Sequence, residues 1–386
     1  MAEFKKSWWR NFAVPSIVIF MVMACNDIPC DDGYPVPDMD SPIVFGVGAV
    51  TKGLDPIDYL GQLDNKGFGV FAGFSKYGAS FGRGSSPDNY ISNLKINRDK
   101  VDTTLWRSAT GTPTFWPITG SLSFFAYAPY FEKSDASLAF PAGADRDGMP
   151  KGVYSPSTDV TNQADFCLAA PQLDRVATDG RIPFDFKHTL TRIRFYFNLE
   201  GSENTMYQYR LTTLKITGVI GSNSFSYSDD PLHPCAWDEV SGSTPKNGFY
   251  QLDASDRELM SNDDLDVHGG MKFKPEVPSD DFHDDYEYNA QQNGRLYLLP
   301  QRITSQAAIE ATITVYSQDK SSSWVPTSVL PPVEISLPTD TPWEAGMTVS
   351  YLVTLPIPDF RTASIKAYSE EWKDSGNEDE VLQTLD

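Results

Sequence analysis

The sequence predicts an all-β protein of sandwich architecture, and three features predict it. Residues that suit a half-buried pleated surface are abundant: 18 Tyr, 23 Phe and 8 Trp stand beside many Val, Ile and Thr. Gly and Pro, 27 and 28 of them, punctuate the chain at short intervals and break any long helical pattern. The third feature is alternation: Ile193, Phe195, Phe197 and Leu199 interleave with Arg192, Arg194, Tyr196 and Asn198. Period two places the apolar set on one face, toward a core.

From the N-terminus, the first element is a leader. Lys5, Lys6 and Arg10 precede an apolar run from Phe12 to Met23, which ends at Ala24 and Cys25. That is the pattern of a secretory signal peptide. The run is broken by Pro15 and followed at once by Asn26 and Asp27, so it is too short to span a bilayer, which takes roughly 20 apolar residues. Val22-Met23-Ala24-Cys25 has the form of a lipobox, which makes Cys25 the expected lipidation site and first mature residue. Acyl chains contribute about 0.8 kcal/mol per buried CH₂, so several of them hold a protein on a membrane. Residues 1–24 are thus the expected leader, and 25–41, rich in Asp, Pro and Gly, the expected tether.

Beyond the tether, the remaining length points to two domains. In the first half, strands are expected over residues 43–50, 67–74, 114–117, 122–130 and 165–169. In the second they are expected from about 184, then over 211–220, 296–300, 309–316, 333–337 and 347–355. Residues 222–293 read as a long polar insertion carrying the acidic patch 280–285.

The chemistry of catalysis is mostly missing. No GxxxxGK[ST], HExxH or helix-opening GxGxxG motif occurs, and there are four histidines in all. His188 reads as a core or sheet-edge residue. The carboxylate pairs, Glu370 with Glu371 or those of the acidic patch, are expected by chance in a chain with 52 acids. The four cysteines show no CxxC or Cys/His ligand spacing, so no metal site and no cofactor are expected. With Cys25 on lipid, Cys30, Cys167 and Cys235 cannot all pair within one chain. The formal charge of −21, two units more negative without the leader, excludes nucleic acid as a partner. Trp106, Trp116, Trp237 and Trp324, if exposed, would stack on sugars, and a surface glycan-binding lipoprotein is therefore the alternative reading, with a secreted glycosidase behind it.

Five segments in order resemble the fimbrillin family of pilus subunits. They are Trp106-Arg107 leading to Pro113-Thr114-Phe115-Trp116-Pro117; Leu122-Ser123-Phe124-Phe125-Ala126-Tyr127-Ala128-Pro129; Phe184-Asp185-Phe186-Lys187-His188-Thr189-Leu190-Thr191-Arg192-Ile193; Leu298-Leu299-Pro300-Gln301; and Trp343-Glu344-Ala345-Gly346 before a last strand ending Val353-Thr354-Leu355. The resemblance implies two transthyretin-like β-sandwich domains in tandem, 42–180 and 181–362, and a C-terminal segment, 363–386, that holds a donor strand and an acidic tail. It implies export as a lipoprotein to the outer membrane and assembly with other pilus subunits, with a host or bacterial surface ligand for an adhesive subunit. A protease would remove the first strand, here carrying Ile43, Val44, Phe45 and Val47, and a neighbour's segment, here carrying Ile365 and Ala367, would fill the groove. Thr51-Lys52-Gly53 stands where many relatives have Thr-Arg-Ala, so the candidate cleavage points are after Lys52 and after Arg83.

Overall fold

The computed structural model describes residues 42–48, 63, 66–82, 90–140, 148–159, 162–201, 206–239, 247–258, 295–357 and 359–372. The chain divides into residues 1–36 and 37–386, and the described residues all belong to the second unit. They form an all-β fold, with helical residues at Leu63 and Lys66 and single turns of 3₁₀-helix at Ala177–Asp179 and Phe360–Thr362.

In the first half the strands are β1 Phe45–Val47, β2 Phe68–Ser75, β3 Ile91–Arg98, β4 Trp106–Ser108, β5 Ser121–Ala128, β6 Leu138–Ala139, β7 Lys151–Tyr154, β8 Cys167–Ala169 and β9 Gln172–Arg175. The middle of the chain adds β10 Ile182–Phe184, β11 Phe186–His188, β12 Thr191–Glu200, β13 Tyr207–Ile220, β14 Asn223–Tyr227, β15 Cys235–Trp237 and β16 Asn247–Glu258. The last are β17 Arg295–Leu298, β18 Ala308–Gln318, β19 Trp324–Val329, β20 Val333–Ser336, β21 Met347–Pro356 and β22 Ser364–Glu371.

The largest sheet runs β10-β1-β4-β3-β2-β5-β8-β11, with β9 also on β5. Its middle is buried on both faces, and β5 shows why. Leu122, Phe124, Ala126 and Ala128 enter one core with Phe45, Phe68 and Phe184. Phe125 and Tyr127 point the other way, into a second core with Phe131, Tyr154, Phe166, Phe225 and Tyr227. Period two sorts an unbroken apolar run between two cores. Close packing of such rings requires gaps opposite them: a Cβ on Gly69 would overlap the Tyr127 ring, and one on Gly152 the Phe225 ring.

The second core is closed by a small sheet, β15-β14-β7-β6, in which β14 from the later half pairs antiparallel with β7 from the earlier one. Strand pairing therefore crosses residue 180 here, as it does where β10 joins β1. Segment 222–293 is consequently more than the expected insertion. Besides β14 and β15 it contains β16, which pairs along β13, while the acidic patch 280–285 lies outside the described residues.

The third core belongs to the later half alone. The sheet β17-β12-β21-β22 faces β16-β13-β18-β19, to which β20 is added through β18. Ile193, Phe195, Phe197 and Leu199 of β12 meet Val349, Tyr351, Val353 and Leu355 of β21 and Ile309, Ala311 and Ile313 of β18. Strands β12 and β21 run parallel over nine paired residues, and both are covered on the face away from this core too, where Arg192, Arg194 and Thr348 are buried. Residues 114–117, expected as a strand, contribute only an isolated bridge from Phe115 to Pro42.

Candidate functional site

The residues singled out by sequence separate into two ends of the described chain. At the first end, β1 is three residues long and lies inside its sheet, parallel to β10 and antiparallel to β4. Beyond its ladders to β10 and β4, Ile43 N–H donates to the Thr114 carbonyl at 2.7 Å, Ile182 N–H to the Val44 carbonyl at 3.0 Å, and Gly48 N–H to the Phe184 carbonyl at 2.8 Å. Its side chains add to this. Phe45 is 2% exposed, stacked on Phe184 at 5.8 Å and edge-on to Phe124 at 5.8 Å and Phe68 at 6.4 Å. Burying such a ring contributes about 1.5 to 3 kcal/mol, and each aromatic pair roughly 0.5 to 1.5 kcal/mol more. Ile43 is buried in the same core and Val47 packs against it, so Ile43, Phe45 and Val47 form an alternating apolar row, with Val44 half-buried between them.

At the other end, β22 is the edge strand of its sheet and pairs with β21 over eight residues, from Thr354 with Ser364 to Met347 with Glu371. Ile365 lies opposite Val353, and Ala367 opposite Tyr351. Both are half-buried against the third core, while Lys366 between them is exposed. Cys25, Lys52 and Arg83 lie outside the described residues.

Strand β22 is followed by Trp372, whose ring packs on residues of β11, β12 and β17. The indole stacks on the His188 imidazole at 4.0 Å with 5° between planes, and on Tyr297 at 5.4 Å with 2°. The Arg192 guanidinium lies over the same ring at 4.9 Å, a cation–π contact. His188 Nδ1 in turn is 2.7 Å from Asp165 Oδ2 and 3.7 Å from Cys167 Sγ. Strand geometry assembles this group. Asp165 and Cys167, two residues apart on one extended stretch, share a face, and the β8–β11 register sets His188 opposite Cys167. Ligand spacing along the chain does not reveal this cluster, which is built across strands; the Asp165-Phe166-Cys167 alternation is its signal in the sequence.

The tryptophans offered as a sugar platform do not form one. Trp106 and Trp116 are buried in the first core, their rings packing on Phe68 and Phe124. Trp237 is half-buried, its indole N–H donating to the Thr189 carbonyl at 2.9 Å, and Trp324 is half-exposed on β19. Neither Cys167 nor Cys235 is in a disulfide among the described residues, and burial pushes the Cys235 thiol well above its ordinary value.

Comparison with known proteins gives a consistent picture. The model of a family described as fimbrillin-like matches residues 61–367. A crystal structure of a fimbrial protein from Bacteroides vulgatus is similar over 86% of this chain and 99% of its own, with a TM-score of 0.57 and 19% identity. Structures of candidate cell adhesion proteins from Bacteroides uniformis and Bacteroides ovatus are similar over 86% of this chain and 99% and 98% of theirs. Their TM-scores are 0.45 and 0.46, with 14% and 15% identity. No curated protein matches the chain.

Proposed function

The chain belongs to the fimbrillin-like family, and on that premise we propose that it is a structural or adhesive subunit of a cell-surface pilus, without a catalytic role. It is built as two transthyretin-like sandwiches, exported as a lipoprotein on Cys25 to the outer membrane, and assembled with other subunits by β-strand donation. The observation that carries this reading is the state of β1: three residues in the interior of a sheet, with the Phe45 ring buried in the core beneath it. Cleavage after Lys52 would release that strand alone, whereas cleavage after Arg83 would free β2 with it. The Lys52 cut would leave a groove with unpaired backbone groups along β10 and β4 and an apolar pocket among Phe68, Phe124 and Phe184. An extended segment with alternating apolar residues satisfies both needs at once.

Strand β22 supplies such a segment through Ile365 and Ala367, and in this structure it is folded back on its own β21. Donation then means peeling an edge strand away from one partner and pairing it with another. A disulfide tests this directly. Leu352 and Lys366 are register partners on the side of β21 and β22 away from the third core. Replacing both by cysteine ties β22 down when oxidised. The expected outcome is a folded, exported subunit that forms no polymer until reduced; unchanged polymer under oxidising conditions would exclude β22 as the donor.

A further inference from the structure

We propose that Asp165, Cys167 and His188 form a binding site for one divalent transition-metal ion, with Zn²⁺ the best match to the donor set. The donor atoms, one carboxylate oxygen, one sulfur and one ring nitrogen, all lie within 4.8 Å of one another. Zinc takes nitrogen at about 2.0 Å and sulfur at about 2.3 Å, so ligand atoms around a tetrahedral ion stand about 3.3 to 3.6 Å apart. Cys167 Sγ and His188 Nδ1 are already 3.7 Å apart, and the 2.7 Å Asp165–His188 separation need open by only about half an ångström.

Three further observations favour a cation here. Asp165 is 6% exposed, and its second oxygen, Oδ1, is buried with no hydrogen-bond partner, so the carboxylate has acceptor capacity that the His188 contact does not use. The charges also close: a dication, one carboxylate, one thiolate and one neutral imidazole sum to zero, which suits a buried position. On binding, the Cys167 S–H bond breaks, the S–metal bond forms and the proton leaves to solvent. The imidazole keeps one proton on Nε2, freeing the Nδ1 lone pair for the metal. The ring is also held in place, since Trp372 stacks on it at 4.0 Å and fixes the edge presented to Asp165 and Cys167. Three protein ligands leave the fourth position to water. The ion would tie β8 to β11 and, through the Trp372 stack, secure the end of β22.

Cobalt reports this site without assuming any activity. The reduced full chain, stripped with a chelator, is titrated with Co²⁺ alone and followed by absorbance. The expected result is one Co²⁺ per chain, a near-ultraviolet thiolate-to-cobalt charge-transfer band with tetrahedral bands in the visible, and loss of all of them on adding Zn²⁺. Cys167→Ser should abolish the charge-transfer band, Asp165→Asn and His188→Gln should weaken binding by about tenfold or more, and Cys235→Ser should leave the band intact. Absence of the band in the folded wild-type chain overturns the proposal. So does its persistence in Cys167→Ser or its loss in a folded Cys235→Ser, which also decide the matter if another variant fails to fold.

Discussion

The first and last described strands are anchored by opposite means. Strand β1 has three residues, short ladders to β10 and β4 and a ring at the centre of a core. Strand β22 has eight residues, a continuous ladder to β21 and side chains that are only half-buried. Side-chain burial resists removal until the strand is cut away, since a phenylalanine cannot leave its core piecemeal. A ladder on a sheet edge opens from one end, at a net cost of about 0.5 to 1.5 kcal/mol per hydrogen bond. A strand to be removed once and a strand to be handed on would be expected to differ in this way.

Substitutions sharpen the contrast. Phe45→Ala should have the largest effect, a loss of about 3 to 5 kcal/mol in denaturant unfolding of the uncleaved chain. A loss under about 1 kcal/mol would show that β1 is not held by its ring. Trp372→Ala comes next, at about 3 kcal/mol, because it removes the stacks on His188 and Tyr297 and the Arg192 contact together. Amide exchange should show the extra opening at β22 and β11, not at β1.

Alkaline titration probes the third core, against which β22 rests. Burial pushes Tyr351, opposite Ala367, from its ordinary 10.0 up to about 12, and Tyr250 likewise to about 12. The folded state thus holds these protons more tightly than the unfolded chain. Their stabilisation is complete below about pH 10 and lost as pH rises toward 12. Unfolding free energy should fall over that window by on the order of 2 kcal/mol for each group. Tyr351→Phe should reduce the slope there; an unaltered slope would mean that the ring does not titrate from the buried state. The smallest effect is expected for Ile365→Ala, about 1 kcal/mol, as its side chain is half-buried on an edge.

What was legible in the sequence follows the same physics. Strands β12, β18 and β21 could be read because each keeps strict alternation over a long run against one core. Strand β3 could not: Asn93 sits at φ 46, and the pairing steps from Val70 with Leu94 to Ala72 with Ile91, so a bulge shifts the apolar phase by one residue. Strands β14 and β15 are five and three residues among Ser, Asp and Pro, and only the pairing of β14 with β7, far away in sequence, and of β15 with β14 makes them strands. The alternating apolar row of β1 was visible, whereas its parallel pairing with β10 was not. The Asp165, Cys167 and His188 cluster depends on register between β8 and β11, which no spacing along the chain encodes.

The central claim, that β1 is exchanged for a donated strand, is tested most directly by intact-mass analysis of the chain taken from pili of its own host. The account predicts a subunit that begins after Lys52 or Arg83 and carries neither Phe45 nor lipid on Cys25. Polymerised chains that still contain residues 42–48 would contradict it.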